Sequence, residues 1–302
     1  MIDCLVIGGG PAGVTAAIYL ARFHLSVRVV DAGQSRVTWI PRTRNHAGYP
    51  GGIPGTELLE RMRTQLAEFD VLVEDAVVEG LHRDGDGFVA TLVTGETIAA
   101  RTVLLATGVV NRQPPISPEL HGVAMARGLI RYCPICDGYE VTDKRVGVIG
   151  NRSHGFKEAV FLRTYTRDVT LIAPDADVEL SDAEHAKLRE LGVETVGGPC
   201  AGLRIDGDRI VAPTPKGDLA FDSIYPALGS VIRSELAMAL DAEGSSDGCL
   251  VVDEHQRTSV PGLYAAGDVV KGLDQISHAM GEGGVAATTL RNDLAERQSL
   301  WR

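Results

Sequence analysis

The sequence Cys4-Leu5-Val6-Ile7-Gly8-Gly9-Gly10-Pro11-Ala12-Gly13 decides the fold of this chain. Its first four residues form a short apolar run, typical of a buried parallel strand, and a glycine-rich turn follows at once. Residues 14–22 predict a helix and residues 27–30 a second strand, followed by Asp31, which can hydrogen-bond a ribose hydroxyl. A strand, a GxGxxG turn, a helix and a strand with a terminal acid predict a βαβ unit that binds a dinucleotide.

The positions of the glycine turn have separate physical roles in this prediction. Gly8 permits the tight turn, Gly10 lets the backbone approach a pyrophosphate, and Gly13 lets the helix pack closely on the strand. Pro11 and Ala12 lie between these glycines, where the helix N-terminus faces the phosphates, and we predict that they contact the cofactor as well.

A second motif is the sequence Cys133-Pro134-Ile135-Cys136-Asp137. Two thiols at this spacing can form a disulfide and be reduced again. In the reduced state, one thiolate can attack a partner disulfide and the other can resolve the mixed disulfide. Asp137 can move protons during that exchange. The alternatives are half of a zinc site or two ordinary buried thiols. Zinc usually needs a second cysteine pair, and the remaining cysteines are scattered singly, so we favour redox chemistry and predict no metal.

The composition excludes several classes of function. The chain has 302 residues, enough for two domains, and its net charge of −11 argues against nucleic acid or an anionic membrane as partner. We find no apolar run that could span a bilayer and no signal-peptide pattern at the start. Cysteines without a framework spacing favour a reducing cytoplasm.

Further strands and turns extend the nucleotide-binding pattern. Residues 71–101 predict an antiparallel meander beside the main sheet. Residues 103–108 and 262–269 are apolar strands that end in small residues, and residues 145–172 form a second βαβ pattern. A final helix begins at 274–276, and the glycines within it predict that a neighbouring element approaches closely.

A long loop, residues 34–55, follows the first βαβ unit, and loops of this length in a compact fold are usually functional. It carries Arg36, Arg42 and Arg44, which either contact a bound anion such as a cofactor phosphate or are simply solvated. Trp39 either caps the core or stacks on a flat ring.

These motifs, in this order and over essentially the whole chain, resemble the small bacterial-type thioredoxin reductase family. The resemblance implies an α/β fold with two Rossmann-like nucleotide-binding domains of three-layer ββα architecture, the second inserted into the first. It implies a domain that binds FAD in residues 1–114 and 237–302, an NAD(P)H-type domain carrying the CxxC in residues 115–236, and a homodimer.

The resemblance also assigns residues of the cofactor site. Those that match the family's FAD-binding positions are Gly8, Gly10, Pro11, Ala12, Gly13, Asp31, Asn45, Ala106, Thr107, Gly108, Gly267, Asp268 and Gln275. Asn45 matches the family's Asn-x-Pro-Gly segment with three extra residues. Asp268 matches the carboxylate on the ribityl chain, and Gln275 lies where a helix N-terminus points at the flavin carbonyl.

The catalytic residues carried over are the cysteines, Cys133 and Cys136, and the neighbouring acid, Asp137. His278 lies one helical turn after Gln275. It is either a core or interface histidine, or a proton donor or thiolate partner in dithiol chemistry.

The second dinucleotide turn departs from the family pattern. Arg152 stands where the family has a small residue, and its side chain should collide with a pyrophosphate lying on the loop. Residues 173–177 carry two carboxylates and no cation where the family has a His-Arg-Arg run, so a 2′-phosphate would be repelled. Asp175 would favour NADH, although Arg152 opposes even that.

We therefore expect an FAD-dependent dithiol/disulfide oxidoreductase that does not use NADPH as its usual donor. Reduced ferredoxin is one donor to consider, and a second flavin held by the arginine-rich loop is another. The oxidant is a thioredoxin-like protein or a small disulfide. The alternatives are an NAD(P)H-dependent thioredoxin reductase, an FAD-dependent oxidase of small dithiols, and a non-catalytic redox sensor that binds FAD.

Overall fold

The computed structural model describes residues 1–200, 202–297 and 300. The chain divides into two compact units. The first contains Met1–Ile40, Ile53–Val110 and the chain from Ile232 onward, and the second contains Pro41–Gly52 and Asn111–Val231. Part of the arginine-rich loop, which we predicted within the FAD-type domain, thus groups with the second unit.

The elements follow in chain order. The first part of the chain forms β1 (Ile2–Ile7), α1 (Pro11–Arg22), β2 (Val27–Asp31), α2 (Gly55–Ala67), β3 (Val73–Asp75), β4 (Val78–Asp84), β5 (Gly87–Leu92), β6 (Thr97–Leu105) and β7 (Val109–Asn111). The middle part forms α3 (Pro118–Ala126), α4 (Pro134–Asp137), β8 (Val146–Gly150), α5 (Arg152–Leu162), β9 (Val169–Ile172), α6 (Asp182–Glu190), β10 (Glu194–Val196), β11 (Arg204–Asp206), β12 (Arg209–Thr214), β13 (Gly217–Phe221), β14 (Ser223–Ala227) and β15 (Ser230–Ile232). The last part forms α7 (Glu235–Met238), β16 (Leu263–Ala265) and α8 (Ile276–Arg297).

The main sheet of the first unit has the strand order β3-β2-β1-β6-β5-β4, with β16 also paired to β6. The strands β1, β2, β16 and the second half of β6 run parallel, as the buried apolar runs predicted. The antiparallel prediction for 71–101 is wrong at its start, because β3 pairs in parallel with β2. The first half of β6 pairs antiparallel with β5, and β5 pairs with β4. The meander predicted for 71–101 is therefore continuous with the main sheet, because β6 belongs to both parts.

Helix α1 packs on α8, and a glycine makes the contact possible. A Cβ atom at Gly283 would lie 2.3 Å from the carbonyl oxygen of Ala12, so only glycine lets the helices approach this closely. The close neighbour predicted for the last helix is thus confirmed at Gly283, whereas nothing lies within 4 Å of a Cβ at Gly281.

The second unit contains a parallel sheet in the order β10-β9-β8-β14 and an antiparallel sheet in the order β11-β12-β13. Helix α6 begins with the predicted capping box, in which Ser181 and Glu184 exchange side-chain and backbone hydrogen bonds. The core around this parallel sheet includes fully buried Val148, Leu171 and Tyr225. Within the described part of the chain, no helix is long and apolar enough to cross a membrane.

Candidate active site

The glycine turn of the first unit has the geometry that a dinucleotide requires. A Cβ at Gly8 would lie 2.1 Å from the carbonyl oxygen of Ala106, and a Cβ at Gly13 would lie 1.9 Å from that of Gly8. These two glycines therefore serve close packing. A Cβ at Gly10 would meet only the side chain of Ser35, at 3.0 Å, and Gly10 caps α1 without any side-chain hydrogen bond. The N-terminus of α1 thus has no side-chain cap, and its amides can bind a phosphate.

Asp31 lies at the end of β2 and is held by a cation from α2. The Arg63 Nη2 atom lies 2.5 Å from Asp31 Oδ2 and donates to the carbonyl oxygen of Gly9 at 3.3 Å. The Nε of Arg63 is buried and has no hydrogen-bond partner within the described residues. An acidic residue and an unsatisfied donor beside the glycine turn suit the hydroxyls and phosphates of an adenosine moiety.

Two segments complete the end of this sheet. Ala106 donates its N–H to the carbonyl oxygen of Ile7 (2.8 Å), and Thr107 donates its hydroxyl to the carbonyl oxygen of Arg233 (2.6 Å). Gly108 has φ 64°, a left-handed conformation that favours glycine. These predicted cofactor residues therefore lie beside β1, next to the glycine turn.

Asp268 lies in the loop after β16 and is bound by a residue of the arginine-rich loop. Arg36 Nη1 lies 3.1 Å from Asp268 Oδ2 and 2.7 Å from Asp274 Oδ2. Burial raises the pKa of Asp268 to about 6, although the charge of Arg36 opposes the rise. In this structure, Arg36 therefore contacts two carboxylates of the first unit.

The loop before α8 is fixed by Glu282. This carboxylate accepts the N–H of Gly267 at 2.7 Å, and its other oxygen lies 3.0 Å from His278 Nε2. Burial raises the pKa of Glu282. Gln275 immediately precedes α8, and its backbone carbonyl oxygen accepts the N–H of Ala279 at 2.9 Å. Gln275, His278 and Asp268 thus belong to one short region around the N-terminus of α8.

The cysteines lie in the second unit and form a disulfide, Cys133–Cys136. Cys133 precedes α4 and accepts the N–H of Cys136 on its Sγ at 3.1 Å. This amide stabilises negative charge on sulfur, so it favours the thiolate of Cys133 when the bond is reduced. The redox pair predicted from the CxxC spacing is therefore present, and the backbone N–H of Cys136 is a donor to the sulfur of Cys133.

Asp137 follows the disulfide and is held through both of its carboxylate oxygens. Arg131 Nη1 donates to Oδ2 at 2.9 Å, and the hydroxyl of Tyr225 donates to Oδ1 at 2.9 Å. Burial raises the pKa of Asp137, and Arg131 and Tyr225 offset part of the rise. Burial raises the pKa of nearby Glu158 to about 7, and repulsion from Asp137 contributes to that shift.

Comparison with known proteins decides the family. The sequence profile of the pyridine nucleotide-disulphide oxidoreductases matches residues 2–283. The chain belongs to the pyridine nucleotide-disulphide oxidoreductase family. Together with its relatives, this membership identifies the chain as an FAD-dependent disulfide oxidoreductase and a flavoprotein.

Relatives in this family include a thioredoxin reductase of Mycolicibacterium smegmatis, which is 32% identical over 312 residues, covering 98% of this chain and 97% of that protein. The crystal structure of thioredoxin reductase from Streptococcus pyogenes has a TM-score of 0.89 at 27% identity and covers 98% of this chain and 99% of that one. The atypical thioredoxin reductase TRi from Desulfovibrio vulgaris Hildenborough is 30% identical, with a TM-score of 0.56 and coverage of 99% and 100%. The Rossmann-like α/β fold predicted from the sequence is confirmed.

Within this oxidoreductase, the arginine-rich loop separates into two groups. Arg36 and Trp39 lie in a short 3₁₀ turn of the first unit. Arg42 donates to the carbonyl oxygen of Gly52 at 2.9 Å. Arg44 Nε lies 3.4 Å from Glu140 Oε1, in the second unit.

Asn45 lies in the same part of the loop. Its Nδ2 donates to the carbonyl oxygen of Ile135, between the two cysteines, at 3.4 Å. The structure thus groups this predicted cofactor residue with the disulfide segment of the second unit.

The second dinucleotide turn of the oxidoreductase differs from the first at its ligand-facing position. A Cβ at Gly150 would lie 2.9 Å from the Cα of Gly155, so both glycines serve packing of α5 on β8. Between them, Arg152 has φ 52° and its Nε lies 2.8 Å from Glu179 Oε2. The side-chain oxygen of Asn151 accepts the backbone N–H of Arg152 at 2.8 Å.

Several residues of these sites were not found from the sequence: Arg63, Arg131, Glu158, Tyr225 and Glu282. Apart from Arg131, each acts on a predicted residue from a distant part of the chain or from an unremarkable position in a helix or strand. The charge of Arg131, two residues before Cys133, was the one local signal that was available.

Proposed function

We propose that this oxidoreductase passes electrons from FAD to the Cys133–Cys136 disulfide and on to a thioredoxin-type protein, with a donor other than NADPH. Reduced ferredoxin-type protein is the donor we favour, with a second flavin as the variant of this proposal. The thioredoxin-type acceptor is supported by the relatives named thioredoxin reductase. We also propose that the enzyme is a homodimer, as the family resemblance implies, and that it is cytoplasmic, because its cysteines have no framework spacing.

The contrast between the two dinucleotide turns carries this proposal. The first turn has glycine at the ligand-facing position, Gly10, and its helix is not capped by a side chain. The second turn has Arg152 at that position, and Asn151 caps the helix. A side-chain cap takes up a donor that would otherwise bind a phosphate, so the second helix N-terminus is less suited to a pyrophosphate.

The backbone around the second turn is also bound by the loop after β9. The Asn151 oxygen that accepts from Arg152 also accepts the N–H of Glu179 at 2.6 Å, and Asn151 Nδ2 donates to the carbonyl oxygen of Asp177 at 3.3 Å. Arg152 and Glu179 also form a salt bridge between the turn and this loop. A dinucleotide would have to displace these contacts before its pyrophosphate could reach the turn.

Charge opposes NADPH in particular. Residues 173–179 contain three carboxylates and no lysine or arginine, and Asp175 and Asp177 are exposed. A 2′-phosphate carries nearly two negative charges and is usually bound by arginine. This loop would therefore repel the group that distinguishes NADPH from NADH.

We infer the following roles for the residues of the flavin site. FAD, when bound, would supply the electron-transfer chemistry of its isoalloxazine ring, which connects the electron donor to the disulfide. Gly10 would face its pyrophosphate, with Gly8 and Gly13 keeping the turn compact, and Asp31 would bind its adenosine ribose. Asp268 would bind the ribityl chain.

The N-terminus of α8 would face the flavin ring. Helix N-termini stabilise negative charge, which suits the reduced ring. Gln275 stands at this N-terminus, and His278 follows one turn later with Glu282 as its partner. This pair can accept a proton, which supports oxidation of a small dithiol as a second candidate function.

The test is anaerobic reduction of the purified flavoprotein. NADPH, NADH, reduced ferredoxin and dithiothreitol are mixed separately with the protein while the flavin absorbance is followed. We expect rapid bleaching with reduced ferredoxin and with dithiothreitol, and none with NADPH. Rapid bleaching by NADPH would overturn the donor proposal. Bleaching by dithiothreitol alone, followed by reoxidation in oxygen, would favour the small-dithiol oxidase. Two flavins per chain would support the diflavin variant.

A further inference from the structure

The carboxyl group of Asp137 accepts hydrogen bonds on both of its oxygens. Its two oxygens accept from different elements: Arg131 precedes α4 and Tyr225 lies in the middle of β14. The side chain of Tyr225 has no solvent exposure, and Arg131 also donates from Nε to the carbonyl oxygen of Gly128 at 3.1 Å. Both donors are therefore fixed by packing and hydrogen bonds before they reach Asp137.

Tyr225 can serve both protonation states of Asp137. In the ionised state its hydroxyl donates to Oδ1 at 2.9 Å. The backbone carbonyl oxygen of Asp137 lies 3.4 Å from the same hydroxyl. If Oδ1 becomes protonated, the tyrosine hydroxyl can turn to donate to that carbonyl and accept the proton of Oδ1. A buried carboxyl can then change its charge without leaving a polar atom unsatisfied.

The charged groups that face Asp137 determine when it titrates. They are the cation of Arg131 and the carboxyl groups of Glu140 and Glu158. Burial raises the pKa of Glu158 to about 7, so this carboxyl is largely uncharged at lower pH. Burial keeps the phenol of Tyr225 neutral by raising its pKa. Arg131 and Tyr225 are therefore the groups left to stabilise the carboxylate.

We propose that Tyr225 and Arg131 are positioning residues of the dithiol site, which hold Asp137 so that it can take a proton from one cysteine and return it to the substrate. This inference rests on the proposed role of Asp137 in disulfide exchange, and on no particular electron donor or protein partner. It assigns a function to two side chains that lie outside the CxxC motif.

The exchange that these residues support balances as follows. The Cys133 thiolate attacks one substrate sulfur, a mixed disulfide forms, and the second substrate sulfur leaves with the electron pair and takes a proton from solvent. The Cys136 thiol gives its proton to Asp137 and attacks the Cys133 sulfur. The intramolecular disulfide forms, the mixed disulfide breaks, and the departing substrate thiolate takes the proton from Asp137. The dithiol loses two electrons and the substrate disulfide gains two.

The experiment measures this exchange as a function of pH with the holoenzyme. The protein is reduced with dithiothreitol, freed of reductant without oxygen, and mixed with 5,5′-dithiobis(2-nitrobenzoate). The rate of the second thionitrobenzoate release is followed, because Cys136 and Asp137 act in that step. Y225F removes one hydroxyl and keeps the buried ring. Because a donor to the ionised carboxylate is lost, the pKa of Asp137 should rise and the acidic limb of the rate profile should move up by about one pH unit. R131Q should move the limb in the same direction, and D137N should abolish it.

The matched control is Y264F. Tyr264 is also buried and donates its hydroxyl to a carboxylate, Asp293 Oδ2, at 2.7 Å, but it lies in the first unit. Its variant should leave the acidic limb in place.

A double variant isolates the effect that passes through Asp137. Y225F added to D137N should change nothing further, because Tyr225 acts through the carboxyl. The inference is overturned if Y225F and the unaltered protein have the same profile, or if Y225F slows D137N by the same factor as it slows the unaltered protein. A D137N profile identical to that of the unaltered protein would overturn the proposed role of Asp137 itself.

Discussion

Replacing Gly13 with alanine tests the packing on which the flavin site depends. The new Cβ would lie 1.9 Å from the carbonyl oxygen of Gly8 and 3.1 Å from a Val6 methyl group. Ordinary contact begins near 3.4 Å, so α1 would have to move by about 1.5 Å relative to the turn. Both contacting groups are fixed, one by backbone and one by the buried strand β1. Overpacking of this kind costs about 1–3 kcal/mol, and a backbone clash belongs at the upper end.

The assay combines urea unfolding, followed by far-ultraviolet circular dichroism, with the fraction of flavin retained after gel filtration. We expect G13A to lower the free energy of unfolding by about 3 kcal/mol and to lose most of its flavin. The matched control is G281A, since Gly281 lies inside α8 with nothing within 4 Å of its Cβ. That variant should gain about 0.5–1 kcal/mol, because alanine is the better helix former.

The reasoning fails if G13A retains its flavin and unfolds at the same urea concentration as the unaltered protein. It also fails if G281A is destabilised as much as G13A, since that result would mean that helix propensity and space do not explain either effect. A loss of flavin without a loss of stability would show that the turn moves while the fold remains intact.

Three further predictions follow from the charged groups. R152G should allow NADH to bleach the flavin, faster than NADPH does because of Asp175 and Asp177; equal, slow bleaching in the variant and the unaltered protein would contradict this. Burial raises the pKa of Asp268 to about 6, above its unfolded value, so the folded state binds a proton more tightly than the unfolded state does. The free energy of unfolding should therefore fall by roughly 3 kcal/mol as the pH rises from about 4 to about 6. D268N should flatten this fall, measured by urea unfolding at each pH; a fall of the same size in D268N would assign it to other groups. E158Q should remove a titration step near pH 7 from the disulfide-exchange profile, because burial raises the pKa of Glu158 to about 7; a step that persists in the variant belongs to another group.

The parts of the fold that the sequence predicts well are those set by neighbouring residues. The strand, turn and helix around Gly8–Gly13 follow from a local pattern, and so does the disulfide at Cys133 and Cys136. The capping box at Ser181 is equally local. Spacing within ten residues is enough in each case, because backbone geometry and short-range hydrogen bonds determine the structure.

The side-chain partners of the site could not be predicted in the same way. Tyr225 lies 88 residues from Asp137, and Arg36 lies 232 residues from Asp268. In sequence, Tyr225 is one apolar strand position among several, and Arg36 is one of three arginines in a loop. Whether such a residue contacts a carboxylate depends on how distant elements pack. The local periodicity of the sequence carries no information about that packing.

The shared strand β6 determines how this chain can be divided. Ala100 pairs with Ile2 on one side and Phe88 on the other, and Tyr264 joins farther along, at Leu104. A fragment that stops before residue 97 leaves both the hairpin and the parallel strands with an open edge, and an inserted residue would turn both sets of side chains to the wrong face. Split-protein reporters and circular permutants of this enzyme should therefore be cut in exposed turns such as 84–86 and keep residues 97–105 in one piece.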